Sequence, residues 1–150
     1  MGKGISVFTD GGARGNPGPA AAAFIVKDGD GNILHKDGKL IGNTTNNVAE
    51  YSAVIEALNW LKDNLVIIDH KPALPAGRSS IINFYLDSQL VVNQLTGKFK
   101  IKDVKLRRLV IIVKSLEKRL SQKIVYNLIP REDNKIADTL INQTLDLFMS

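Results

Sequence analysis

Val7-Phe8-Thr9-Asp10-Gly11-Gly12-Ala13-Arg14-Gly15-Asn16-Pro17-Gly18-Pro19 is an apolar run that leads to an acid and then to a segment rich in glycine and proline. The residues from Ile5 to Thr9 are β-branched or aromatic at most positions, which predicts a short strand closed by the glycine-rich segment. Asp10 would stand at the end of that strand. Taken alone, it is also explained as a turn residue whose carboxylate hydrogen-bonds nearby backbone.

Two further strands and a long helix are predicted next. Ala20 to Lys27 is a second apolar run, and Asp28-Gly29-Asp30-Gly31-Asn32 is a turn signal that would return the chain as a hairpin. Ile33 to Ile41 is a weaker third strand, so these segments predict an antiparallel meander. From about Asn47 the apolar residues fall at helical spacing as far as Leu65.

The second half of the chain alternates strands with helices. The predicted elements are a strand at Ile81 to Leu86, a short helix at Leu90 to Leu95, a helical stripe from Leu106 to Leu120, a strand at Lys123 to Ile129 and a helix from Asp133 to about Phe148. The order predicts an α/β fold, with a mixed sheet of three antiparallel strands and then two parallel ones, flanked by helices. We expect residues 1–150 to form a single domain.

Composition excludes several kinds of site. The 150 residues include no cysteine, so disulfides, thiolate metal sites and cysteine nucleophiles are excluded. No apolar run approaches the roughly 20 residues needed to span a bilayer, and the chain does not start with a signal-peptide pattern. We therefore expect a cytoplasmic protein with no membrane partner.

Positive charge is concentrated in one segment. Thr96 to Lys123 contains ten basic residues and two acidic ones, a net charge of +8, which leaves ten basic and thirteen acidic residues elsewhere. Such a segment is typical of a surface that binds a polyanion, with phosphate contacts that depend on salt. An ordinary solvated helix face explains it equally well.

Four acids stand near the starts or ends of predicted elements, and each has a structural explanation of its own. Asp10 could serve a turn, Glu50 could close a capping box with Asn47, Asp87 could cap the following helix, and Asp138 could be an exposed helix acid. These explanations are weaker when the acids are considered together, because Asp10 and Asp87 both follow apolar strands. If those strands are adjacent and parallel, the two carboxylates lie about 5 Å apart.

Two carboxylates at such a short distance repel one another, and a cation bound between them offsets the repulsion. Hard oxygen ligands without histidine or cysteine favour Mg²⁺ or Mn²⁺ over zinc. Clustered acids, a basic segment and no nucleophilic triad therefore indicate metal-dependent phosphodiester chemistry.

Four blocks of the chain resemble, in order, the four signature blocks of type 1 ribonuclease H. They are Thr9-Asp10-Gly11-Gly12 with Gly15-Asn16-Pro17-Gly18, then Thr45-Asn46-Asn47-Val48-Ala49-Glu50, then Leu86-Asp87-Ser88-Gln89, and finally Pro130-Arg131-Glu132-Asp133-Asn134-Lys135-Ile136-Ala137-Asp138. One such block is weak evidence, but four in register over nearly the whole chain are specific. The resemblance implies a ribonuclease H-like sheet and an endonuclease that cuts the RNA strand of RNA/DNA hybrids, leaving 5′-phosphate and 3′-hydroxyl ends.

The resemblance also implies a role for each matched residue. Asp10 would bridge two Mg²⁺ ions, Asp138 would complete the site of the ion that activates water, and Glu50 and Asp87 would hold the ion at the leaving oxygen. Mn²⁺ is expected to substitute. The matched substrate-binding positions are Gly12, Asn16, Thr45, Asn46, Asn47 and Gln89; most would read the minor groove, where the 2′-hydroxyl distinguishes RNA from DNA, and Thr45 would hold a phosphate of the DNA strand.

The chain departs from the family pattern in three places. Many members carry a histidine in the loop before the last helix, whereas here Arg131 occupies that loop, and a permanent cation cannot act as a neutral base near pH 7. Arg131 would instead meet the scissile phosphate or the product. The segment after Gly97 is too short for the basic protrusion of some members, which the cations from Lys98 to Arg119 would replace in part, and the connection from Val66 to Ser80 is longer than usual.

Two other functions remain open at this level. A catalytically silent module that binds RNA/DNA hybrids would keep the basic segment without needing the acids. A relative acting on DNA junctions or in transposition would share the fold, although the blocks around Thr45 and Gln89 favour the hybrid-specific branch. Double-stranded RNA is left open as a second substrate, and the protein is expected to be a monomer.

Overall fold

The computed structural model describes residues 4–68 and 81–149. Its strands are β1 (Ile5–Ala13), β2 (Gly18–Lys27), β3 (Ile33–Thr44), β4 (Ile81–Leu86) and β5 (Lys123–Leu128). Its helices are α1 (Asn46–Ile68), α2 (Gln89–Leu95), α3 (Val104–Lys118) and α4 (Lys135–Met149), and a 3-10 turn at Arg131–Asp133 precedes α4. Most of the predicted long connection, residues 69–80, lies outside the described residues.

The five strands form one sheet in the order β3-β2-β1-β4-β5. Strand β1 pairs antiparallel with β2 and parallel with β4, and β4 pairs parallel with β5. The predicted mixed sheet, antiparallel and then parallel, is confirmed. The chain therefore places β1 at the centre, next to the strand that leads to Asp87.

Helices cover the sheet on both faces. Val7 of β1 and Phe84 of β4 are fully buried in the larger core, with Leu58 of α1 and Val113 of α3. On the opposite face the alanines of β2 form a smaller core against α4, whose buried positions Ala137, Ile141 and Leu145 recur every four residues. The short alanine side chains let α4 lie close to the sheet.

The length and composition of a helix set whether it can cross a bilayer. Among residues 4–68 and 81–149, none of the helices combines the length and the apolar character needed to cross a bilayer.

Candidate active site

Asp10 lies inside β1, and the prediction that it ends the strand is wrong. Parallel pairing with β4 stops at Phe8, opposite Tyr85, while antiparallel pairing with β2 continues through Asp10 to Ala13. Gly11 and Gly12 are therefore paired strand residues rather than part of a turn. At Asp10, β1 is still paired with β2 but no longer with β4. The sheet is therefore open on the β4 side of Asp10.

Gly11 is required because a larger residue would not fit next to α1, and not because its backbone adopts a conformation that favours glycine. A Cβ at Gly11 would lie 2.1 Å from the carbonyl carbon of Ala49 and 2.4 Å from the amide nitrogen of Glu50. This close approach lets the Gly11 amide donate to Asp10 Oδ1 at 3.0 Å and to Glu50 Oε1 at 3.1 Å. One backbone N–H thus holds two carboxylates from different elements.

Glu50 reaches the sheet from the first turns of α1. The cap of this helix is Thr45, whose Oγ1 accepts from the Val48 amide at 3.3 Å and whose carbonyl accepts from the Ala49 amide at 3.0 Å. The Glu50 carboxylate accepts from Gly11, so it serves the contact between α1 and β1 instead of a capping box with Asn47. Glu50 is 8% exposed.

Asp87 follows β4 directly, and Ser88 caps the next helix in its place. The Ser88 hydroxyl accepts from the Val91 amide at 3.2 Å. The Asp87 carboxylate instead accepts from Asn134 Nδ2 at 3.1 Å. The alternative of Asp87 as a helix cap is therefore replaced by an orientation toward β1.

Asn134 is a buried residue whose contacts the sequence did not single out. Its Nδ2 donates to the Thr9 carbonyl at 2.8 Å as well as to Asp87, and its own carbonyl accepts from the Asp138 amide at 3.1 Å. It therefore ties the start of α4 to β1 and to Asp87. The available signal was an asparagine at a predicted helix start, four residues before an acid.

Ligand oxygens of Asp10, Glu50 and Asp87 all lie within 4.8 Å of one another. Desolvation by burial, followed by the charges of Asp87 and Asp138, raises the pKa of Asp10 to about 7. Burial, followed by the charges of Asp10 and Asp87, also raises the pKa of Glu50. Crowded, dehydrated carboxylates with only oxygen donors fit a hard divalent cation, which would remove the cost of their mutual repulsion.

Asp138 and Arg131 flank this cluster. Asp138 lies in the first turn of α4, outside the set of three acids within 4.8 Å, yet close enough for its charge to raise the pKa of Asp10. Arg131 lies in the 3-10 turn before α4, and its charge lowers the pKa of both Asp10 and Glu50. The structure thus brings all five predicted catalytic residues into one electrostatic neighbourhood.

Three of the six matched substrate-binding residues are exposed, namely Asn16, Asn46 and Gln89. Asn16 and Asn46 are joined, because the Asn46 amide donates to Asn16 Oδ1 at 2.9 Å while Asn46 Oδ1 accepts from the Ala13 amide at 2.8 Å. Their side-chain oxygens therefore hold the turn after β1 against the start of α1, and the NH₂ groups of these two exposed residues remain as donors. Gln89 is exposed at the first position of α2.

Gly12, Thr45 and Asn47 are the other three, and each is half-buried on β1 or at the start of α1. Gly12 is on β1, where an added Cβ would meet Ile141 Cγ2 at 3.6 Å, an ordinary contact. Thr45 uses its hydroxyl as the cap of α1, and Asn47 is half-buried in the first turn of that helix.

Part of the basic segment has internal partners. The guanidinium of Arg107 donates to the carbonyls of Ile101 at 3.0 Å and Lys102 at 3.4 Å, which holds the loop before α3. Lys114 Nζ donates to the Leu95 carbonyl at 2.9 Å. These two cations therefore stabilise the fold, and the exposed remainder is available to a polyanion.

A mixed sheet in this order, with acids from β1, α1 and the end of β4 converging, defines the ribonuclease H class of fold and site. The RNase H family model matches residues 2–145. The chain belongs to the RNase H family.

Similar proteins include the Ribonuclease HI of Halobacterium salinarum, 37% identical over 142 residues that make up 95% of this chain and 64% of the relative. The Bifunctional protein Rv2228c of Mycobacterium tuberculosis is 34% identical over 95% of this chain and 35% of its own length. The chain thus spans between about a third and two thirds of the length of these curated relatives.

Two solved structures extend the comparison. One is LC11-RNase H1, a protein isolated from compost, whose structure was solved in complex with an RNA/DNA hybrid. Its sequence is 37% identical to this chain, and the two structures align with a TM-score of 0.84 over 97% of this chain and 99% of the other. The RNase H1 of Halobacterium salinarum has a TM-score of 0.81 at 37% identity, covering 95% and 97%. Both likenesses extend over nearly the whole of this chain.

Proposed function

We propose that this protein is a metal-dependent endoribonuclease that hydrolyses the RNA strand of RNA/DNA hybrids, leaving 5′-phosphate and 3′-hydroxyl ends. The observation that carries the proposal is the convergence of Asp10, Glu50 and Asp87, whose ligand oxygens lie within 4.8 Å of one another although they come from separate elements. Family membership and the likeness to an RNase H1 bound to a hybrid support the choice of substrate. Residues 1–150 would act as one catalytic domain and as a monomer.

The acids would hold two Mg²⁺ ions, for which Mn²⁺ would substitute, with Asp10 as the shared ligand and Asp138 joining the three clustered carboxylates. When bound, such ions supply hydroxide near neutral pH and stabilise the charge on the departing oxygen. The protein's contribution is to keep the ligands in place. Gly11 orients Asp10 and Glu50 through one amide, and Asn134 orients Asp87.

Arg131 would act as an electrostatic clamp and not as a base. Its charge already acts on Asp10 and Glu50, so the same guanidinium can meet a phosphate that approaches them. It remains protonated at neutral pH, so it would neutralise the scissile phosphate or the product.

Selection of the RNA strand would depend on the joined asparagines and on Gln89. The Asn16 and Asn46 oxygens are used within the protein, so their NH₂ groups would donate to acceptors in the minor groove. Gln89, exposed two residues after Asp87, would also contact the groove, and the capped helix start at Thr45 would receive a backbone phosphate.

Cleavage of a hybrid with a labelled RNA strand tests the proposal. Purified protein with Mg²⁺ should cut the RNA internally, and each cut should yield a 3′ end that a polymerase extends and a 5′ end that loses phosphate to a phosphatase. RNA/RNA and DNA/DNA duplexes at the same metal and salt concentrations define the specificity. An RNA strand that stays intact with Mg²⁺ and with Mn²⁺, between about pH 6 and 9, would refute the nuclease.

The exposed cations of the basic segment are also consistent with a protein that binds RNA/DNA hybrids without cutting them. A silent hybrid-binding module would bind the hybrid tightly without turnover, and its affinity would be unchanged when metal is removed. Equal cutting of an all-DNA duplex would instead favour a relative acting on DNA. Cutting of double-stranded RNA would add a second substrate to the proposed one.

A further inference from the structure

Helix α2 carries the proposed contact residue Gln89, and it is short. It contains seven residues, begins at Gln89 and follows Asp87 with only Ser88 between them. Helices of this length are marginal by themselves, so tertiary contacts set the place and rotation of α2. Val91, Val92 and Leu95 pack into the core, but apolar packing is non-directional.

A directional contact to α2 comes from Tyr51, the residue after Glu50. The Tyr51 hydroxyl donates to Gln94 Oε1 at 2.6 Å, between a fully buried tyrosine and a glutamine that is 8% exposed. The bond joins α1 to the last turn of α2, whereas Ser88 secures the first turn.

Glu50 and Tyr51, which are consecutive in α1, thus contact the acidic cluster and helix α2 respectively. The Glu50 carboxylate is fixed to Gly11 of the central strand, and the Tyr51 hydroxyl is fixed to α2. Because consecutive helix positions point about 100° apart, one turn of α1 can reach both the sheet and α2. A rotation of α2 about its axis would break the Tyr51 bond and move Gln89 relative to the carboxylates.

We propose that Tyr51 is a positioning residue whose hydrogen bond to Gln94 fixes α2, and through it sets where Gln89 meets the minor groove of the substrate. The proposal rests on the hybrid nuclease function above. Tyr51 would touch neither substrate nor metal, and its effect would pass entirely through α2. Loss of the bond should therefore weaken substrate binding more than it slows the chemical step.

Steady-state cleavage of an RNA/DNA hybrid by Tyr51→Phe provides the test. The variant keeps the ring in the core and loses only the hydroxyl. We expect KM to rise about three- to tenfold, the range that one hydrogen bond supplies, with kcat within about twofold of the wild type. Gln94→Met removes the acceptor at similar length and should reproduce the same rise, which keeps the test available if Tyr51→Phe fails to fold.

Two further variants separate positioning from general loss of stability. In a Gln89→Ala background, Tyr51→Phe should cause no additional rise in KM, since the residue it positions is absent. Tyr126→Phe is the matched control, because it also removes a buried hydroxyl that donates to a neighbouring helix, in this case to Glu117 of α3. It should lower the melting temperature and leave KM unchanged.

The outcomes distinguish this inference from the function on which it rests. If the wild-type protein does not cut the hybrid, both are overturned. If the wild type cuts but Tyr51→Phe leaves KM unchanged, or raises it equally in the Gln89→Ala background, only the positioning role is overturned. A rise in KM that disappears with Gln89 supports it.

Discussion

Two clusters of ionisable groups in this protein are arranged in opposite ways, one half-buried around Glu117 and one largely buried around Asp10. Glu117 on α3 accepts the Tyr126 hydroxyl and lies 3.5 Å from Lys114 Nζ, so its charge has partners. Asp10, Glu50 and Asp87 are crowded together, and across the described parts of the chain no salt bridge reaches any of them. They are held by one backbone amide and one asparagine.

In the proposed function, the Glu117 cluster supports the fold and the acidic cluster serves the chemistry. A paired carboxylate in a hydrogen-bonded network supports the fold. Like charges in a dehydrated site cost folding free energy, and burial and repulsion appear directly in the raised pKa of Asp10. In the proposed function a cation would complete the acidic cluster, whereas the Glu117 cluster already contains its own cation, Lys114.

Substitution of Asp10 should have the largest effect. Asp10→Asn removes a negative charge that repels the other carboxylates of the cluster. It also removes the carboxylate proposed to be shared by both metal ions. We expect cleavage of the hybrid to fall by at least about 1,000-fold. At pH 8 without metal, the free energy of unfolding should rise by on the order of 2 kcal/mol, because repulsion is relieved.

Activity and chemical denaturation measured on the same preparation check both halves of this prediction. An inactive variant that is also destabilised in the absence of metal would show that Asp10 supports the fold, as Glu117 does, and would remove the contrast between the clusters.

Gly11→Ala should be the most damaging change to stability. The added methyl group would overlap the backbone of Ala49 and Glu50, which cannot move aside as a side chain would. We expect a loss of about 3 kcal/mol or more in the free energy of unfolding. Gly12→Ala is the matched control, since its methyl group meets Ile141 at an ordinary distance, and it should change stability by less than about 1 kcal/mol. Equal effects at both positions would contradict the close contact of β1 with α1.

Glu117→Gln should have the reverse profile of Asp10→Asn. It removes the charge that pairs with Lys114 and weakens the bond from Tyr126, so the free energy of unfolding should fall by about 1 to 2 kcal/mol. Cleavage at a temperature where the variant is folded should stay within about twofold of the wild type. A large loss of activity with unchanged stability would place Glu117 in the functional site.

Much of this architecture could be predicted from local sequence. The bounds of β4 were predicted correctly, because an apolar run between turn residues identifies a buried strand. The proximity of Asp10 and Asp87 could also be predicted, because each follows an apolar run and the two runs were expected to form adjacent parallel strands. The helical stripe of α1 likewise reflects a periodic apolar pattern that packing preserves.

What could not be predicted depends on contacts distant in sequence. The glycines after Asp10 suggested a turn, yet they pair with Ala21 and Ala22, and Gly11 is needed because α1 approaches so closely. The bond from Gly11 to Glu50 and the two bonds of Asn134 join residues separated by 39 to 125 positions. No local pattern encodes such pairs.

The most direct test of the cation-dependent site is the free energy of unfolding measured from about pH 5 to pH 8, with a chelator and with Mg²⁺ or Mn²⁺. Because the folded pKa of Asp10 is raised from 3.8 to about 7, the folded protein binds more protons than the unfolded chain between these values. Stability without metal should therefore fall as the pH rises through that window. Metal should restore it above about pH 7, where Asp10 is ionised, and Asp10→Asn should abolish most of both effects. A metal-free stability that is flat or rises with pH, together with no stabilisation by either ion, would contradict the account.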